Sequence, residues 1–506
     1  MMKKHFFRSM TFKRFLLLLC GVYLCMVLLF HSRLQVDRPI SAVVNTEPDK
    51  TTTSAIREKI PDVVFNASVE GLKGWVRNYY NVKNLAKEIS NLEKMVDKVK
   101  GELIINTTPP KVDDNGDLDL GKNCMRKSDD FGVGRFRELE RGVYVYSAYL
   151  DDRKKQKFIR FIMLVAKDRR YKFTMTCVFG DGTEMSTKPY EMCENHNKQF
   201  GGYIYSCPIT NGTLCPVKIK TIAGQRLVSV PIVPVAMVTK PYEYGICIPP
   251  LFGKIKSDIL VEFLELSMLL GAEHFYFYNY SITNEMAEIL KHYHSRKLVT
   301  LIPWKLPKEV VDKSIWYHGQ LLAHNDCMYR SMSTMKHMAI NDVDEFIIPH
   351  TAAKTWNELI PGLIGDKHCG VSFSSAFFDP SHGINHPSGL LTMGHTVRSQ
   401  QFSHVRTKVM VMPRRVFEVG IHHISKQNEE RWTPVKSHPD VAYLHHYRRC
   451  VSNYGMKCTT TTEDKSVFKY FDKLQANFDK SMTYLEKVLA NITTPTPLKM
   501  KSKKHI

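Results

Sequence analysis

Met338-Ala339-Ile340-Asn341-Asp342-Val343-Asp344-Glu345-Phe346-Ile347-Ile348-Pro349 decides how this chain is read. A short apolar run ends in three acids within four residues and returns at once to Phe-Ile-Ile. Carboxylates at the end of a buried strand lose hydration, and a partner must offset that loss. A divalent cation is one such partner, because hard oxygen ligands suit Mg²⁺, Mn²⁺ or Ca²⁺. The Asp-x-Asp pattern alone carries little weight, and a second copy stands at Asp117-Leu118-Asp119. What leads into each copy separates them.

Upstream of the quoted stretch the pattern is α/β. Tyr244 to Ile248 reads as a first strand; Ser257 caps a helix whose Ile259, Phe263, Leu266 and Leu270 share a face; Gly271 ends it. His274 to Tyr280 is a second strand, Asn284 to about His294 a second helix, and Leu298 to Ile302 a third strand. Gly319 to Met335 fits a third helix and Lys336 to Ile340 a fourth strand, which runs into Asp342. Strands alternating with helices predict a mostly parallel sheet with flanking helices, whose ligands bind at the carboxyl ends of the strands. Asp342 and Asp344 fall at such an end, and the Asp117 copy has no strand before it. Phe468, Phe471, Leu474, Phe478, Met482 and Leu485 then fall on one helical face.

Residues 140–240 carry short β-rich runs separated by turn residues, which predicts a small antiparallel β domain; Pro231 and Pro234 confine its last run to an edge. Residues 34–139 read as a stem. Within it Val82, Leu85, Ile89, Leu92, Val96, Val99 and Leu103 follow a heptad seam, either a short dimerising coiled coil or a helix packed on its own domain. Residues 491–506 form a basic tail.

Of 506 residues, 43% are hydrophobic and 11% aromatic, a globular composition. The net charge of +21 is scattered and accompanies no nucleic-acid motif, so nucleic acid is not the expected partner; acidic sugars and nucleotide phosphates suit it. Residues 1–14 hold Lys3, Lys4, Arg8, Lys13 and Arg14, the expected cytoplasmic tail. Residues 15–33 hold an uncharged run from Phe15 to Phe30 closed by His31 and Arg33. No small-x-small cleavage site follows, which favours an uncleaved signal-anchor over a signal peptide, with the remainder lumenal in the Golgi or another secretory membrane. Sequons at Asn66, Asn106, Asn211, Asn279 and Asn491 agree with that topology. So do the cysteines: of 12, Cys20 and Cys25 lie in the membrane run and the other ten suit disulfides.

Several local motifs are more specific than the acids. They are Ser147-Ala148-Tyr149, Cys247-Ile248-Pro249-Pro250-Leu251-Phe252-Gly253, Trp316-Tyr317-His318-Gly319-Gln320 and Asn325-Asp326-Cys327. Asn341-Asp342-Val343-Asp344-Glu345-Phe346, Gly420-Ile421-His422-His423 and His446-Tyr447 complete the set. With them the sequence from about Ser147 to about residue 485 resembles glycosyltransferase family 92. The resemblance implies a GT-A-like domain over residues 241–490. It also implies inverting, manganese-dependent transfer of galactose from UDP-galactose to a glycan acceptor such as fucose on N-glycans.

By similarity to other GT-A transferases, Asp344 would bind the metal directly and Asp342 would contact metal-bound water or the ribose. Glu345 would stand with them or pair a nearby Arg or Lys. A third metal ligand is expected from His423 or His446. His318 and Gln320 open a helix whose N–H groups suit an anion or a plain cap. Lys408 and Arg414 would meet phosphate or form a solvated basic face. Asp379 and Glu418 are the two carboxylates expected to supply the base that deprotonates the acceptor. A membrane-anchored glycan-binding protein without activity is the alternative from another class, and it would not need Asp344 with a matching metal ligand.

Overall fold

The computed structural model describes residues 134–209, 217–221, 224–233, 241–451 and 455–493. The expected anchor, the heptad seam, the Asp117 copy, Asn66, Asn106, Asn211 and the end of the basic tail lie outside them. Among the described residues no helix is long and apolar enough to cross a membrane.

The β-rich half starts with strands β1 (Arg137–Glu140), β2 (Val143–Asp151) and β3 (Phe158–Ala166). It continues with β4 (Met175–Val178), β5 (Glu184–Ser186), β6 (Lys188–Glu191), β7 (Phe200–Pro208), β8 (Lys218–Thr221), β9 (Gly224–Ser229) and β10 (Ile232–Val233). One sheet runs β1-β2-β3-β7-β6 with β10 along β2, and a second runs β5-β4-β8-β9. Both faces of β2 are buried because its residues alternate between two cores. Val143 and Val145 join Phe161, Phe173, Cys177 and Ile219 within this half. Tyr144 and Tyr146 point the other way, toward the α/β half.

That half comprises β11 (Tyr242–Phe252), helix α1 (Ser257–Leu270), β12 (His274–Ser281), α2 (Asn284–Ser295), β13 (Val299–Pro303), α3 (Gln320–Ser331) and β14 (Met335–Ile340). Strands β15 (Glu345–Pro349), β16 (His368–Phe377), β17 (Val397–Ser399), β18 (Ser403–Val411), β19 (Val416–Val419) and β20 (Ile424–Gln427) follow. The chain closes with β21 (Thr433–Lys436), β22 (Ala442–His446), β23 (Thr461–Glu463) and α4 (Phe471–Thr493). Local chemistry sets the helix ends. Gly271 takes φ 119° to close α1, and Thr283 accepts the Met286 amide to start α2. Ser257 does not cap α1 as expected; Lys256 holds that place without a side-chain bond, and the Ser257 hydroxyl goes to Glu285.

The large sheet runs β13-β12-β11-β14-β18-β16-β22-β15, with β21 along β16. Its first four strands are parallel, as the alternation predicts. Beyond them the pairing is mixed: β18 runs antiparallel to both β14 and β16, and β15 antiparallel to β22, while β16 lies parallel to β22 and β21. The sheet is mixed because its antiparallel pairs join strands far apart in the chain, β14 with β18 and β15 with β22, whose relative direction the local strand–helix alternation does not set. The order also fixes a place for ligands. From β11 the chain steps outward to β12 and β13, then returns to put β14 on the other side of β11. Asp342 follows β14 at that switch.

Helix α3 lies between the halves and is buried nearly all round. Its Leu322, Met328 and Tyr329 pack with Tyr144, Tyr149, Ile162, Tyr278 and Ile340. At its centre Asp326, fully buried, accepts the hydroxyls of Ser147, Tyr149 (2.6 Å) and Tyr278 (2.6 Å) and pairs Arg330 at 3.1 Å. Two motifs far apart in the sequence therefore meet at one carboxylate. The Cys247–Cys327 disulfide ties the same helix to β11.

Cys177–Cys207 and Cys450–Cys458 are also bridged, whereas among the described residues Cys193 and Cys369 are free thiols, so not every one of the ten cysteines beyond the apolar run is paired as expected. The sequon at Asn279 stands on β12, half-buried and flanked by β11 and β13, and Asn491 lies in α4. Replacing Asp326 with Ala strands a buried guanidinium and three hydroxyls. Denaturant unfolding should show a loss of about 3–5 kcal/mol.

Candidate active site

A cleft of about 510 Å³ opens at the carboxyl end of β14, within the size range of small-molecule sites. Asp342, Glu345, His446, Arg448, Arg406 and Tyr317 are among its lining residues. Asp342, Val343 and Asp344 make the turn from β14 to β15, closed by the Glu345 amide on the Asp342 carbonyl at 3.2 Å. The Glu345 side chain reaches back to accept the Asp342 amide at 2.8 Å. In the β15–β22 ladder Glu345 stands directly opposite His446.

Lys408 organises these charges. It reaches from β18 with only 1% of its side chain exposed, 2.9 Å from Asp342 and 3.2 Å from the equally buried Glu345. Burial alone would lower its pKa; the two carboxylates override that and raise it. Burial would raise Asp342, but the Lys408 ammonium holds it below the usual carboxylate range. For Glu345 burial prevails over the same cation, and its carboxyl is raised. The cation also acts at a distance: burial, then Lys408, pushes His324 and His422 each down to about 3. Both are therefore neutral imidazoles.

The chemistry of Asp344 and His446 fits a divalent cation. Asp344 Oδ2 lies 3.6 Å from His446 Nε2, and among the described residues neither buried ring nitrogen of His446 finds a well-formed hydrogen bond. Two adjacent ligands about 2.1 Å from one octahedral ion sit roughly 3 Å apart, so a small approach closes such a site. Glu345 Oε1, 3.3 Å from His446 Nδ1, backs the ring on its other side. A carboxylate behind a ligating histidine fixes the ring and raises its basicity. Burial lowers the His446 pKa, but Glu345 and Asp344 more than reverse this. Asp342 is differently placed, its Oδ2 engaged by Lys408.

Comparison with known proteins identifies the family. Residues 242–490 match the glycosyltransferase family 92 model. This chain is a family 92 glycosyltransferase. It is 27% identical over 427 residues to the Caenorhabditis elegans beta-1,4-galactosyltransferase galt-1, covering 81% of this chain and 90% of that protein. A second C. elegans glycosyltransferase family 92 protein is 30% identical over 122 residues, 22% of this chain and 24% of that one. A solved mycobacterial protein aligns at 11% identity over 42% of this chain and 70% of its own, with a TM-score of 0.22, too low to support a shared fold.

The transferase brings Asp342, Asp344, Glu345, Lys408, Gln320 and His446 together and disperses the other expected site residues. Lys408 is buried rather than part of a solvated basic face, while Arg414 is on the surface with Asp152. Asp379 is committed to a turn: it accepts the amide and hydroxyl of Ser381 and the Cys450 amide, and it does not line the cleft. Glu418 is fully buried and accepts Tyr190 Oη (2.7 Å) and the Cys193 amide (2.8 Å). His318 lies outside the cleft lining, stacked on Tyr280 with the Phe252 ring tilted against it. His423 lines the cleft, but its neighbours are Cys193 and Glu194, whose ligand atoms all lie within 4.8 Å of one another, rather than Asp344.

The turn before α3 is strained. Tyr317, His318 and Gly319 are three consecutive residues with positive φ (44°, 56° and 81°), a geometry that non-glycine residues adopt only when their surroundings impose it. Trp304 Nε1 donates to the His318 carbonyl at 2.8 Å, and the result sets the rings of Trp316 and Tyr317 along the cleft.

Arg406, Tyr317 and His422 escaped the sequence reading although signals existed: Arg406 shares a strand face with Lys408, and the other two stand inside quoted motifs. Glu194 and His196, which also line the cleft from outside the matched residues 242–490, carried no signal. Replacing Lys408 with Met leaves Glu345 buried without its cation. Its folded pKa then rises further above the unfolded value, so stability should fall as pH rises. Thermal melts from pH 5 to 8 should show a deficit of about 3–5 kcal/mol at neutral pH that narrows in acid.

Proposed function

We propose that this transferase is a metal-dependent, inverting galactosyltransferase that uses UDP-galactose and acts on a glycan such as fucose on N-glycans. The observation that carries the reading is the Asp344–His446 pair, backed by Glu345 and set at the switch point of the parallel strands. That arrangement is what a GT-A-like nucleotide-sugar site requires. Asp344 and His446 would hold Mn²⁺ or another divalent cation, which neutralises charge developing on a diphosphate leaving group. Lys408 holds Asp342 ionised and oriented toward the donor, and Arg406 and Arg448 add positive charge along the cleft. Tyr317 lies close enough to the acids that, after burial, Asp342 is the largest influence raising its pKa; its ring can cover the donor.

The beta linkage in the printed name of galt-1 supports inversion, since UDP-galactose carries an α bond. Galactose as the donor sugar rests on the same relative. A Golgi location with a lumenal catalytic region rests on the apolar run from Phe15 to Phe30 and its basic flank.

A panel of UDP-sugars offered to the purified full chain, with glycan acceptors, Mn²⁺ or a chelator, tests the reading. Galactose transfer is expected with Mn²⁺, and Asp344→Asn should lower kcat/KM by about 10²-fold or more. Transfer that persists after both chelation and that substitution would sink the metal-dependent mechanism. Donor or glycan binding with no turnover for any pair would instead favour an inactive binding protein.

A further inference from the structure

Inverting transfer needs a carboxylate facing the acceptor, and both carboxylates expected from the sequence are otherwise engaged. Asp379 caps a turn and Glu418 is sealed beneath Tyr190 and Cys193. Of the carboxylates lining the cleft, Asp342 and Glu345 share the buried Lys408. The remaining lining carboxylate among the described residues is Glu194.

Glu194 belongs to the β-rich half, in the loop between β6 and β7, and three features hold it in place. The Cys193 amide is fixed by Glu418 at 2.8 Å. Asn195 exchanges hydrogen bonds with Gly202, accepting its amide at 2.7 Å and donating to its carbonyl at 3.2 Å. His196 and Asn197 both take positive φ (50° and 54°), so the loop has a shape its sequence would not choose unaided. The two oxygens of Glu194 then differ. Oε2 accepts the Ile421 amide, which orients the carboxylate, and Oε1 faces the His423 ring at 3.9 Å with no short hydrogen bond to any described residue. The side chain is 18% exposed, enough to meet a ligand in the cleft. At Gly420 a Cβ would fall 2.6 Å from Glu194 Oε2, so the approach depends on a residue without one.

We propose that Glu194 is the general base of this transferase, removing the proton from the acceptor hydroxyl. The inference rests on the inverting transfer proposed above. As the acceptor O–H proton passes to Glu194, the acceptor oxygen bonds to the anomeric carbon. The bond from that carbon to the diphosphate oxygen breaks, and the nucleoside diphosphate leaves with its electron pair. The catalytic cleft is thus composite: the α/β half holds the donor, and the β-rich half supplies the group that activates the acceptor.

The test compares Glu194→Gln with Glu194→Asp in the full chain, using the donor and acceptor on which the unaltered protein is active. Gln keeps the length of the side chain and an oxygen for the Ile421 amide but is no base. Asp keeps the base but shortens the reach. A base role predicts that Glu194→Gln lowers kcat by about 10²–10⁴-fold with the donor KM changed less than about threefold, and that Glu194→Asp is the more active of the two. A merely orienting acceptor predicts the reverse order. Glu194→Gln retaining more than about a tenth of kcat, matching or exceeding Glu194→Asp, or failing to fold in a thermal melt would each overturn the proposal. If the unaltered protein transfers no sugar from any nucleotide donor, the underlying reading fails first, and that result is separate from any variant.

Discussion

The carboxylate of Asp326 is the constraint on which the architecture depends. A buried acid is tolerable only when its lone pairs are filled, and four donors from three parts of the chain fill these. Ser147 and Tyr149 come from β2, Tyr278 from β12, and Arg330 from the next turn of α3. None of these donors can retreat without leaving a polar group unsatisfied in the core. The β-rich half and the α/β half are therefore held in one arrangement. The same helix extends that control toward the cleft. Asn325 exchanges hydrogen bonds with both the amide and the carbonyl of Val419, at 3.0 and 2.9 Å, as a neighbouring strand would. Tyr329 donates to the Phe417 carbonyl. The segment that carries Ile421, His422 and His423 is set by residues deep inside the molecule.

A second buried charge shapes the donor end. Lys408 between Asp342 and Glu345 sorts three acids that the sequence presents as a cluster. The cation keeps Asp342 ionised, burial raises the Glu345 carboxyl against that same cation, and Asp344 is left beside the His446 ring. A lysine with almost no contact with water is unfavourable unless paired, so its position indicates that the acids and the cation are one unit. The low pKa values of His324 and His422 belong to that unit as well.

Much of the α/β half could be read from the chain. Periodicity found β11 through β14 with their helices, and the Asp-x-Asp following a strand gained meaning because parallel sheets present ligands at that edge. The mixed pairing beyond β14 was not legible, since strand order depends on long-range contacts that local patterns do not record. Spacing could name Asp379 and Glu418 as acids able to reach a cleft, yet it could not show that backbone amides and hydroxyls already occupy them. The same limit hid the burial of Lys408. Glu194 left no trace because its neighbours in the cleft come from more than two hundred residues downstream. The motifs Ser147-Ala148-Tyr149 and Asn325-Asp326-Cys327 did carry long-range information, as two sides of one hydrogen-bond network.

That network also governs how such a chain can change over time. Glu194 and His196 in the β6–β7 loop face the cleft rather than Asp326, so the loop stands outside that network. The sheet beneath it cannot be exchanged for another unless the replacement brings hydroxyls where Ser147 and Tyr149 stand. Replacing a segment of that sheet therefore costs buried hydrogen bonds that replacing a loop does not. Within the described residues, change that spares the buried network is confined to a narrow rim of an otherwise inseparable body.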